Sequence, residues 1–282
     1  MTTSDLIALE FNSPLIDGIS ENIHLQRNRL FLVFSHESPG YEANKWKDAT
    51  SAFDGSMTYS RDSTIHFPFG RIRQLPREKW RRKHKNYANK NKTKGAYTYI
   101  SNCNSKHYNR LGVIEELAKY VHVSVMGKCT KQGPCPDYSE HCESVAHADY
   151  RFYLAFENSL CKDYITEKFW KGLLLESYVV PVVFGGLSID EYSNIAPPNS
   201  FIHAYNFSSI KELGLYLSNL TTDDAAYDRY HEWRQRYILV DRMEQVACDL
   251  CKLAHNPHTL NSTNSKRFIR RWNSNCRRRK ER

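Results

Sequence analysis

The chain has 282 residues, of which 40% are hydrophobic and 13% aromatic, with eight cysteines and a formal net charge of +9. These values are typical of one large or two ordinary globular domains, and they exclude a low-complexity or disordered chain. No apolar run is long enough to span a bilayer, and no secretory signal is visible.

The positive charge is concentrated in two segments, residues 77–94 and 266–282. Each holds nine Lys or Arg residues against one glutamate, so the remainder of the chain is acidic. Such segments can bind nucleic acid, but a run of like charges is more often a solvated surface. We therefore expect a basic linker at 77–94 and a solvated extension at the end of the chain.

Secondary-structure signals are thin before the linker and regular after it. DLIALEF (5–11), RLFLVFS (29–35) and STIHFPFG (63–70) predict strands, which together make only a partial α/β unit. The later pattern alternates, which predicts a doubly wound parallel sheet with right-handed crossovers. Its predicted strands are 97–101, 121–126, 151–156, 179–184 and 200–204, and its predicted helices are 107–119, 163–177 and 208–219.

The cysteines leave three readings open. Cys129, Cys135 and Cys142 lie in a turn-rich stretch that suits a disulfide-stapled loop. Cys248 and Cys251 supply the only short pair that zinc would favour, and a redox pair would instead begin a helix after a strand. Disulfides are favoured over zinc, and zinc over redox catalysis. The cysteines are consistent with an oxidising, lumenal compartment, and so are four glycosylation sequons, at Asn91, Asn206, Asn219 and Asn261.

Polar residues gather where the predicted strand 151–156 meets the next helix. Glu157 and Asn158 follow the strand, at the end where open parallel sheets bind ligands. Tyr164, Glu167 and Lys168 are spaced to share one helix face. The first turns of a helix favour anions, so this face predicts a site that holds a phosphate while an acid binds a ribose.

The same helix has a predicted cap and a predicted core face. Asp163 is the expected N-cap, and Ile165, Phe169 and Leu173 are expected to face the core. The alternative is an ordinary solvated helix, and spacing alone favours neither. No phosphate-binding loop or dinucleotide fingerprint precedes a helix.

The residues of this region also carry a family resemblance. FYLAFENSLCKDYITEKFW (152–170), followed by VVPVVFGG, resembles the signature of the α1,3-fucosyltransferases of glycosyltransferase family 10. FSHESPG (34–40) and YSRDSTIHFPFG (59–70) resemble two further motifs of that family. The resemblance covers roughly residues 5–255, and a run of this length is specific.

The resemblance implies an α/β fold of the GT-B type with two Rossmann-like domains. Residues 1–90 would form the acceptor-side domain with its basic linker, residues 91–255 the domain that binds GDP-fucose, and residues 256–282 a basic tail. The first domain is expected to be truncated at its N-terminus. The implied reaction is inverting transfer of fucose to the 3-hydroxyl of N-acetylglucosamine in glycoprotein or glycolipid glycans, in the Golgi lumen. Membrane attachment would come only from an anchor outside this chain.

Residue roles carry over by motif. Glu37 matches the family's proposed general base, and Lys168 would meet the diphosphate leaving group. Glu167 would hold the ribose hydroxyls. The remaining expected donor-binding residues are Asn158 and Tyr164, which would shape the nucleotide pocket, and Arg110, a second phosphate ligand. Arg61 and Asp62 are expected to order the cleft.

The resemblance implies no required cofactor. GDP-fucose is the donor substrate, manganese is allowed as a stimulant, and no metal site is predicted. In the family, the two cysteines at these positions form disulfides with cysteines of an upstream region that this chain is expected to lack. Cys248 and Cys251 are therefore expected to have no disulfide partners. Two alternatives stay open: a catalytically inactive GDP-binding or lectin-like relative, and a nucleic-acid-binding protein that uses the two basic segments, although no nucleic-acid partner is expected.

Overall fold

The structure is a computed structural model that describes residues 5–10, 29–42, 53–81, 94–105, 107–129, 149–173, 178–260 and 262–276. Its strands are, in chain order, β1 (Asp5–Glu10), β2 (Arg29–Ser35), β3 (Gly55–Thr58), β4 (Ile65–His66), β5 (Arg71–Gln74), β6 (Lys94–Tyr99), β7 (Val123–Met126), β8 (Tyr150–Phe156), β9 (Val180–Phe184), β10 (Ile202–His203) and β11 (Tyr237–Val240).

The α-helices range from four to fourteen residues. They are α1 (Pro39–Glu42), α2 (Arg110–Leu117), α3 (Glu167–Gly172), α4 (Ile189–Ser193), α5 (Ile210–Leu220), α6 (Asp224–Arg229), α7 (Arg242–His255) and α8 (Ser262–Ser274). Within the described ranges, no helix is both long enough and apolar enough to cross a membrane.

The chain divides into two compact units that are discontinuous in sequence. Unit 1 comprises Met1–Phe69, Cys161–Tyr164 and Asp241–Arg277, and unit 2 comprises the intervening segments, chiefly Gly70–Leu160 and Ile165–Val240. The boundaries differ from the linear division expected at residues 90 and 255. The chain returns to unit 1 after β11, because the last two helices bury their apolar faces there.

Unit 1 contains a four-stranded sheet in the order β1-β2-β3-β4, with every pairing parallel. Val246 and Leu253 of α7 pack with Leu32 and Met57 in one hydrophobic cluster of the core of unit 1. Residues of α8 pack with Phe31 and other residues in a second cluster. Helices covering a parallel sheet are what an α/β unit requires, since its strands are apolar on both faces.

The described residues 262–276 are therefore not the solvated extension expected from the charge of this segment. Phe268, Ile269 and Trp272 of α8 are buried in unit 1, and Trp272 is only 1% exposed. Basic residues lie between these apolar positions and give the segment its positive charge. The packing of the helix is determined by the buried apolar residues. The helical spacing of the three apolar residues was the sequence signal for a packed helix.

Unit 2 contains a five-stranded parallel sheet in the order β10-β9-β8-β6-β7. Every residue of β8 and β9 is buried, as expected for central strands covered on both faces. Pro181 lies near the start of β9, ahead of the positions Val182 and Val183 that pair with β10. The strands β5 and β11 form a separate antiparallel pair.

Disulfides join four of the six cysteines that the structure describes. Cys103 is bonded to Cys129, and Cys161 is bonded to Cys276 across 115 residues of sequence. The disulfide interpretation is thereby confirmed for Cys129, whereas Cys135 and Cys142 lie outside the described residues. Cys248 and Cys251 are free and exposed, as expected.

Candidate active site

A cavity of about 180 Å³ lies at the carboxyl ends of β6 and β8 in unit 2. Because both strands are parallel neighbours, the residues that follow them meet at one edge of the sheet. We call it the Lys168 cavity. Its lining includes Tyr99, Asn102, Arg110, Asn158, Glu167 and Lys168. Four of the five expected donor-binding residues thus line one cavity.

Glu157 is the buried acid beneath this cavity. Its side chain is fully buried, and its carboxylate accepts hydrogen bonds from Thr166 N at 2.8 Å and from Thr166 Oγ1 at 2.8 and 3.1 Å. Burial raises the pKa of Glu157 to about 6, although the nearby Lys168 ammonium acts to lower it. Glu157 thereby fixes Thr166, the residue that caps α3.

Lys168 is held among acceptors rather than extended into solvent. Its side chain is 16% exposed, and Nζ lies 2.9 Å from Glu167 Oε1, 3.1 Å from Thr166 Oγ1 and 3.8 Å from Glu157 Oε2. Burial alone would lower the pKa of Lys168, but the two carboxylates outweigh it and leave the pKa above its ordinary value. The ammonium group therefore stays charged at neutral pH.

Glu167 is the carboxylate that lines the same cavity. Burial acts to raise its pKa, yet the charge of Lys168 and the hydrogen bond from it leave the pKa below the ordinary value. An ionised carboxylate is a pure hydrogen-bond acceptor, which suits ligand hydroxyl groups.

Arg110 is the first residue of α2 and is buried rather than solvent-facing, with 3% exposure. Its guanidinium donates to Phe156 O at 3.2 Å and to Asn102 O at 2.6 Å, which fixes it across the ends of β8 and β6. Arg110 Nε and Asn158 Oδ1 are buried without a hydrogen-bond partner among the described residues. Unsatisfied buried polar atoms in a cavity are sites that a polar ligand can satisfy.

The helix at the cavity begins later than the sequence predicted. α3 spans Glu167–Gly172, and its N-cap is Thr166 rather than Asp163. Asp163 has a φ of 60°, which is left-handed backbone that cannot belong to a right-handed helix. The part of the predicted helix at 174–177 lies outside the described residues. Ile165, Phe169 and Leu173 are buried as expected.

Tyr164 does not line the Lys168 cavity, contrary to its expected place on the helix face. It precedes α3, belongs to unit 1, and donates a hydrogen bond from Oη to Glu37 Oε1 at 2.7 Å. The correction follows from the later start of α3. Tyr164 and Glu37 were both singled out from sequence motifs, but the motifs did not indicate that the two side chains are hydrogen-bonded.

Glu37 lies between β2 and α1 with its backbone fixed on both sides. Glu37 N donates to Ser35 Oγ at 3.0 Å, and Ser38 N donates to Glu37 Oε1 at 3.2 Å. The neighbouring His36 stacks on Phe69, with ring centroids 4.5 Å apart. Together with Tyr164, these contacts hold the carboxylate in one orientation.

Arg61 and Asp62 connect the turn before β4 to the segment 161–164. Arg61 N donates to Asp163 Oδ2 at 3.1 Å, and Lys162 Nζ lies 3.4 Å from Asp62 Oδ2. Both residues are exposed and act within unit 1. They order the peptide beside Tyr164.

Comparison with known protein families identifies the family of this chain. The description "Glycosyltransferase family 10 (fucosyltransferase) C-term" matches residues 89–272. The chain belongs to glycosyltransferase family 10. The expected family is confirmed, and the match includes every residue of the Lys168 cavity named above.

Named relatives agree with this assignment. The chain is 31% identical to "Alpha-(1,3)-fucosyltransferase C" of Drosophila melanogaster, covering 94% of this chain and 64% of the relative. It is 36% identical to "Glycoprotein 3-alpha-L-fucosyltransferase A" of the same organism, with 74% and 41% covered. It is 34% identical to "Alpha-(1,3)-fucosyltransferase 7" of Bos taurus, with 80% and 61% covered. The chain thus spans between about two fifths and two thirds of these relatives' lengths.

A solved structure supports the fold. The structure titled "Crystal Structure of alpha1,3-Fucosyltransferase with GDP-fucose" matches with a TM-score of 0.57 at 16% identity, covering 90% of this chain and 91% of that chain. The α/β fold of the GT-B type is confirmed.

Two residues at the site were underestimated from the sequence. Glu157 was noticed after its strand but given no role, and Thr166 was not singled out. Their hydrogen bonds span nine residues, through a loop whose path the sequence did not reveal. A threonine followed directly by an acid was the local signal for a helix N-cap.

Proposed function

We propose that this family 10 protein is an inverting α1,3-fucosyltransferase, which transfers fucose from GDP-fucose to the 3-hydroxyl of N-acetylglucosamine in glycoprotein or glycolipid glycans. One observation carries the proposal. The Lys168 cavity combines two largely buried cations, Arg110 and Lys168, with the carboxylate of Glu167 at the carboxyl ends of parallel strands. A nucleoside diphosphate needs this pairing of anion-binding and hydroxyl-binding groups.

Lys168 and Arg110 act on the diphosphate. The ammonium and guanidinium groups neutralise the bound phosphates, and they bind more strongly as the leaving group gains negative charge. Since Glu157 and Glu167 keep Lys168 protonated, the cation is already in place before the bond breaks. Removing one such preorganised donor costs about 3 kcal/mol of transition-state stabilisation.

Glu167 and Asn158 bind the neutral part of the donor. The Glu167 carboxylate accepts hydrogen bonds from the ribose hydroxyls, and Asn158 Oδ1 accepts one from a further donor group of the nucleotide. Glu157 is a positioning residue, which reaches the ligand only through Thr166 and Lys168.

Glu37 is the general base of the proposal. The acceptor 3-hydroxyl oxygen attacks the anomeric carbon of fucose, its proton passes to the Glu37 carboxylate, and the electron pair of the breaking glycosidic C–O bond goes to GDP. A single displacement of this kind inverts the anomeric centre. Tyr164 Oη holds the carboxylate, and the proposal assigns no metal or cofactor to any step.

The test is fucose transfer by Glu37→Gln. Loss of a general base costs about 100-fold or more in turnover, while GDP affinity should stay unchanged because Glu37 lies in unit 1. Glu115→Gln, an exposed position in α2, is the matched control. Transfer by Glu37→Gln at the rate of the unaltered chain would remove Glu37 from the mechanism. GDP binding without transfer by the unaltered chain would favour the inactive relative.

A Golgi lumenal location is part of the proposal. The Cys103–Cys129 and Cys161–Cys276 disulfides suit an oxidising compartment, and Asn206 and Asn219 of two sequons are exposed. Protein isolated from its own cells should carry both disulfides and lose mass on treatment with an N-glycosidase. Free thiols at Cys103 and Cys161 in that protein would contradict the location.

A further inference from the structure

A two-stranded antiparallel ribbon of unit 2 carries a concentration of positive charge. β5 (Arg71–Gln74) pairs with β11 (Tyr237–Val240), and no residue of either strand is fully buried. Residues 71–81 include five Lys or Arg residues against one acid, Glu78, and Arg236 adds a sixth cation. We call residues 71–81 and 236–240 the basic ribbon. It shares no residue with the Lys168 cavity, so the proposed function gives its charge no role.

Several cations of the basic ribbon are open to a partner. The side chains of Arg73, Lys79 and Arg81 are exposed, and within the described parts of the chain none has a hydrogen-bond or ion-pair partner. Uncompensated charge of one sign raises the local potential and attracts a partner of the opposite sign. A run of like charges is often only a solvated surface, so a binding role needs evidence that the cations are held in place.

Trp80 holds two of the arginines. The guanidinium carbon of Arg77 lies 5.9 Å from the centroid of the Trp80 ring, and that of Arg236 lies 4.9 Å from it. The indole is fixed in turn, because Nε1 donates to Leu75 O at 3.1 Å, and Trp80 remains 39% exposed. These contacts position the two guanidinium groups at the surface before any partner binds, which lowers the ordering cost of binding.

Backbone hydrogen bonds hold the segment that follows β5 against the segment that precedes β11. Leu75 N donates to Arg236 O at 2.7 Å, and Arg81 N donates to Gln235 O at 3.0 Å. The turn that carries Trp80 is therefore fixed at both ends beside β11. Its cations and Arg236 form one localised group, which distinguishes them from a run of charge along a solvated chain.

The side chains of the basic ribbon match a particular kind of anion. A guanidinium is a planar set of donors that pairs with two oxygens of one anionic group, such as a sulfate or a phosphate ester. Four of the six cations are arginines that lie at exposed positions, namely Arg73, Arg77, Arg81 and Arg236. Several guanidinium groups on one exposed ribbon suit a linear polyanion, which carries such esters in succession.

The compartment of the protein decides among the polyanions. The Cys103–Cys129 and Cys161–Cys276 disulfides suit an oxidising lumen or the extracellular space. Nucleic acids are concentrated in the cytosol and nucleus, and the anionic lipids of a membrane face the cytosol. Sulfated polysaccharides are the linear polyanions that share an oxidising compartment with this chain.

We propose that the basic ribbon is a docking surface for a sulfated linear polysaccharide, whose sulfate esters pair with Arg73, Arg77 and Arg236. The polysaccharide is a binding partner at the surface of unit 2 and is not the acceptor of fucose. The inference uses the disulfides to define the compartment, and it does not depend on fucose transfer.

The test is calorimetric titration of the full chain with a heparin oligosaccharide of defined length. Binding should be saturable and should weaken steeply as the salt concentration rises, because a polyanion releases condensed counterions when cations bind it. The same oligosaccharide after desulfation should bind at least about ten-fold more weakly, since the charge-assisted hydrogen bonds are lost. The triple variant Arg73→Ala, Arg77→Ala, Arg236→Ala should weaken binding of the sulfated form at least about ten-fold.

The matched control removes the same charge from another exposed surface. Arg267→Ala, Arg270→Ala and Arg271→Ala, combined in α8 of unit 1, should change the affinity less than about two-fold. Urea unfolding of each triple variant checks that the fold is retained. Should the ribbon variant fail to fold, Arg73→Ala alone, which removes a side chain without a partner among the described residues, should still weaken binding about three-fold.

Equal losses in the two triple variants would overturn the proposal, because they would indicate general attraction to a basic chain. Binding that survives desulfation would overturn it too. So would tighter binding of a single-stranded oligonucleotide or of phosphatidylserine vesicles at the same salt concentration, which would assign the surface to another class of partner. A GDP titration of the same samples tests the Lys168 cavity separately, so failure here is distinguishable from failure of the proposed function.

Discussion

At the residue scale, Glu157 links the interior of unit 2 to the proposed phosphate site. Its carboxylate accepts a hydrogen bond from Thr166, and Thr166 caps α3. The ammonium group of Lys168 lies close to both side chains. A buried acid of this kind costs stability when ionised unless its partners compensate. The raised pKa of Glu157 shows that the compensation is incomplete.

This buried acid predicts a dependence of stability on pH. The pKa of Glu157 is raised to about 6 in the folded chain, so the folded state binds this proton more tightly than the unfolded state does. Its contribution to the free energy of unfolding is full below about pH 4.5 and is lost as the pH rises through 6, a change of roughly 1–2 kcal/mol. Urea unfolding between pH 4.5 and 7.5 should show this decline in the difference between the unaltered chain and Glu157→Gln.

Glu167→Gln is the control of opposite sign. The pKa of Glu167 is lowered in the folded chain, so its contribution is present at neutral pH and is lost as the pH falls through the acid range. If both variants shifted stability in the same direction with pH, the assignment of the buried, proton-retaining acid to Glu157 would be wrong.

Tyr164 gives a second prediction at this scale. Its hydroxyl donates to the Glu37 carboxylate at 2.7 Å, so Tyr164→Phe removes one contact that orients the proposed base. We expect turnover in fucose transfer to fall about ten-fold, equivalent to a hydrogen bond of about 1.4 kcal/mol. GDP affinity should be unchanged, since Tyr164 is not part of the Lys168 cavity. An effect on GDP affinity with normal turnover would instead return Tyr164 to the nucleotide pocket.

At the element scale, the sequence was most informative where strands are buried on both faces. β8 and β9 are continuous apolar runs, so they were predicted almost to the residue. The start of α3 was misplaced because a long-range hydrogen bond from Thr166 to Glu157 determines it, and periodicity carries no such information. The residues Arg110, Asn158, Glu167 and Lys168 line one cavity, because all follow or begin elements at one edge of the sheet; Arg110 was expected there only from the family resemblance.

The helix α8 was not predicted because its charge obscured its apolar face. Trp272 is 1% exposed and packs against Tyr59, with ring centroids 5.0 Å apart. Trp272→Ala should therefore destabilise the chain by about 3–5 kcal/mol, as large-to-small changes of buried aromatic residues do. Thermal or urea unfolding measures this loss.

The neighbouring Arg271 provides the comparison for Trp272. Arg271→Ala alters an exposed position of the same helix and should change the free energy of unfolding by no more than about 0.5 kcal/mol. Were Trp272→Ala equally mild, α8 would be a solvated helix after all.

At the scale of the whole molecule, the chain gives each unit its own chemistry. Unit 1 holds Glu37 and Tyr164, while unit 2 holds the Lys168 cavity. Burial of Phe268, Ile269 and Trp272 gives α8 a structural role in unit 1. The central claim is that the Lys168 cavity of unit 2 binds GDP. The residues of this cavity lie within the segment that matches the family 10 description.

The most direct test of that claim is calorimetric titration of the full chain with GDP, alongside Lys168→Ala and Lys171→Ala. Both substitutions remove a lysine from α3, but only Lys168 lines the cavity. The account predicts saturable binding that Lys168→Ala weakens at least about ten-fold and Lys171→Ala leaves nearly unchanged. A folded chain that ignores GDP, or that loses binding equally in both variants, would contradict it.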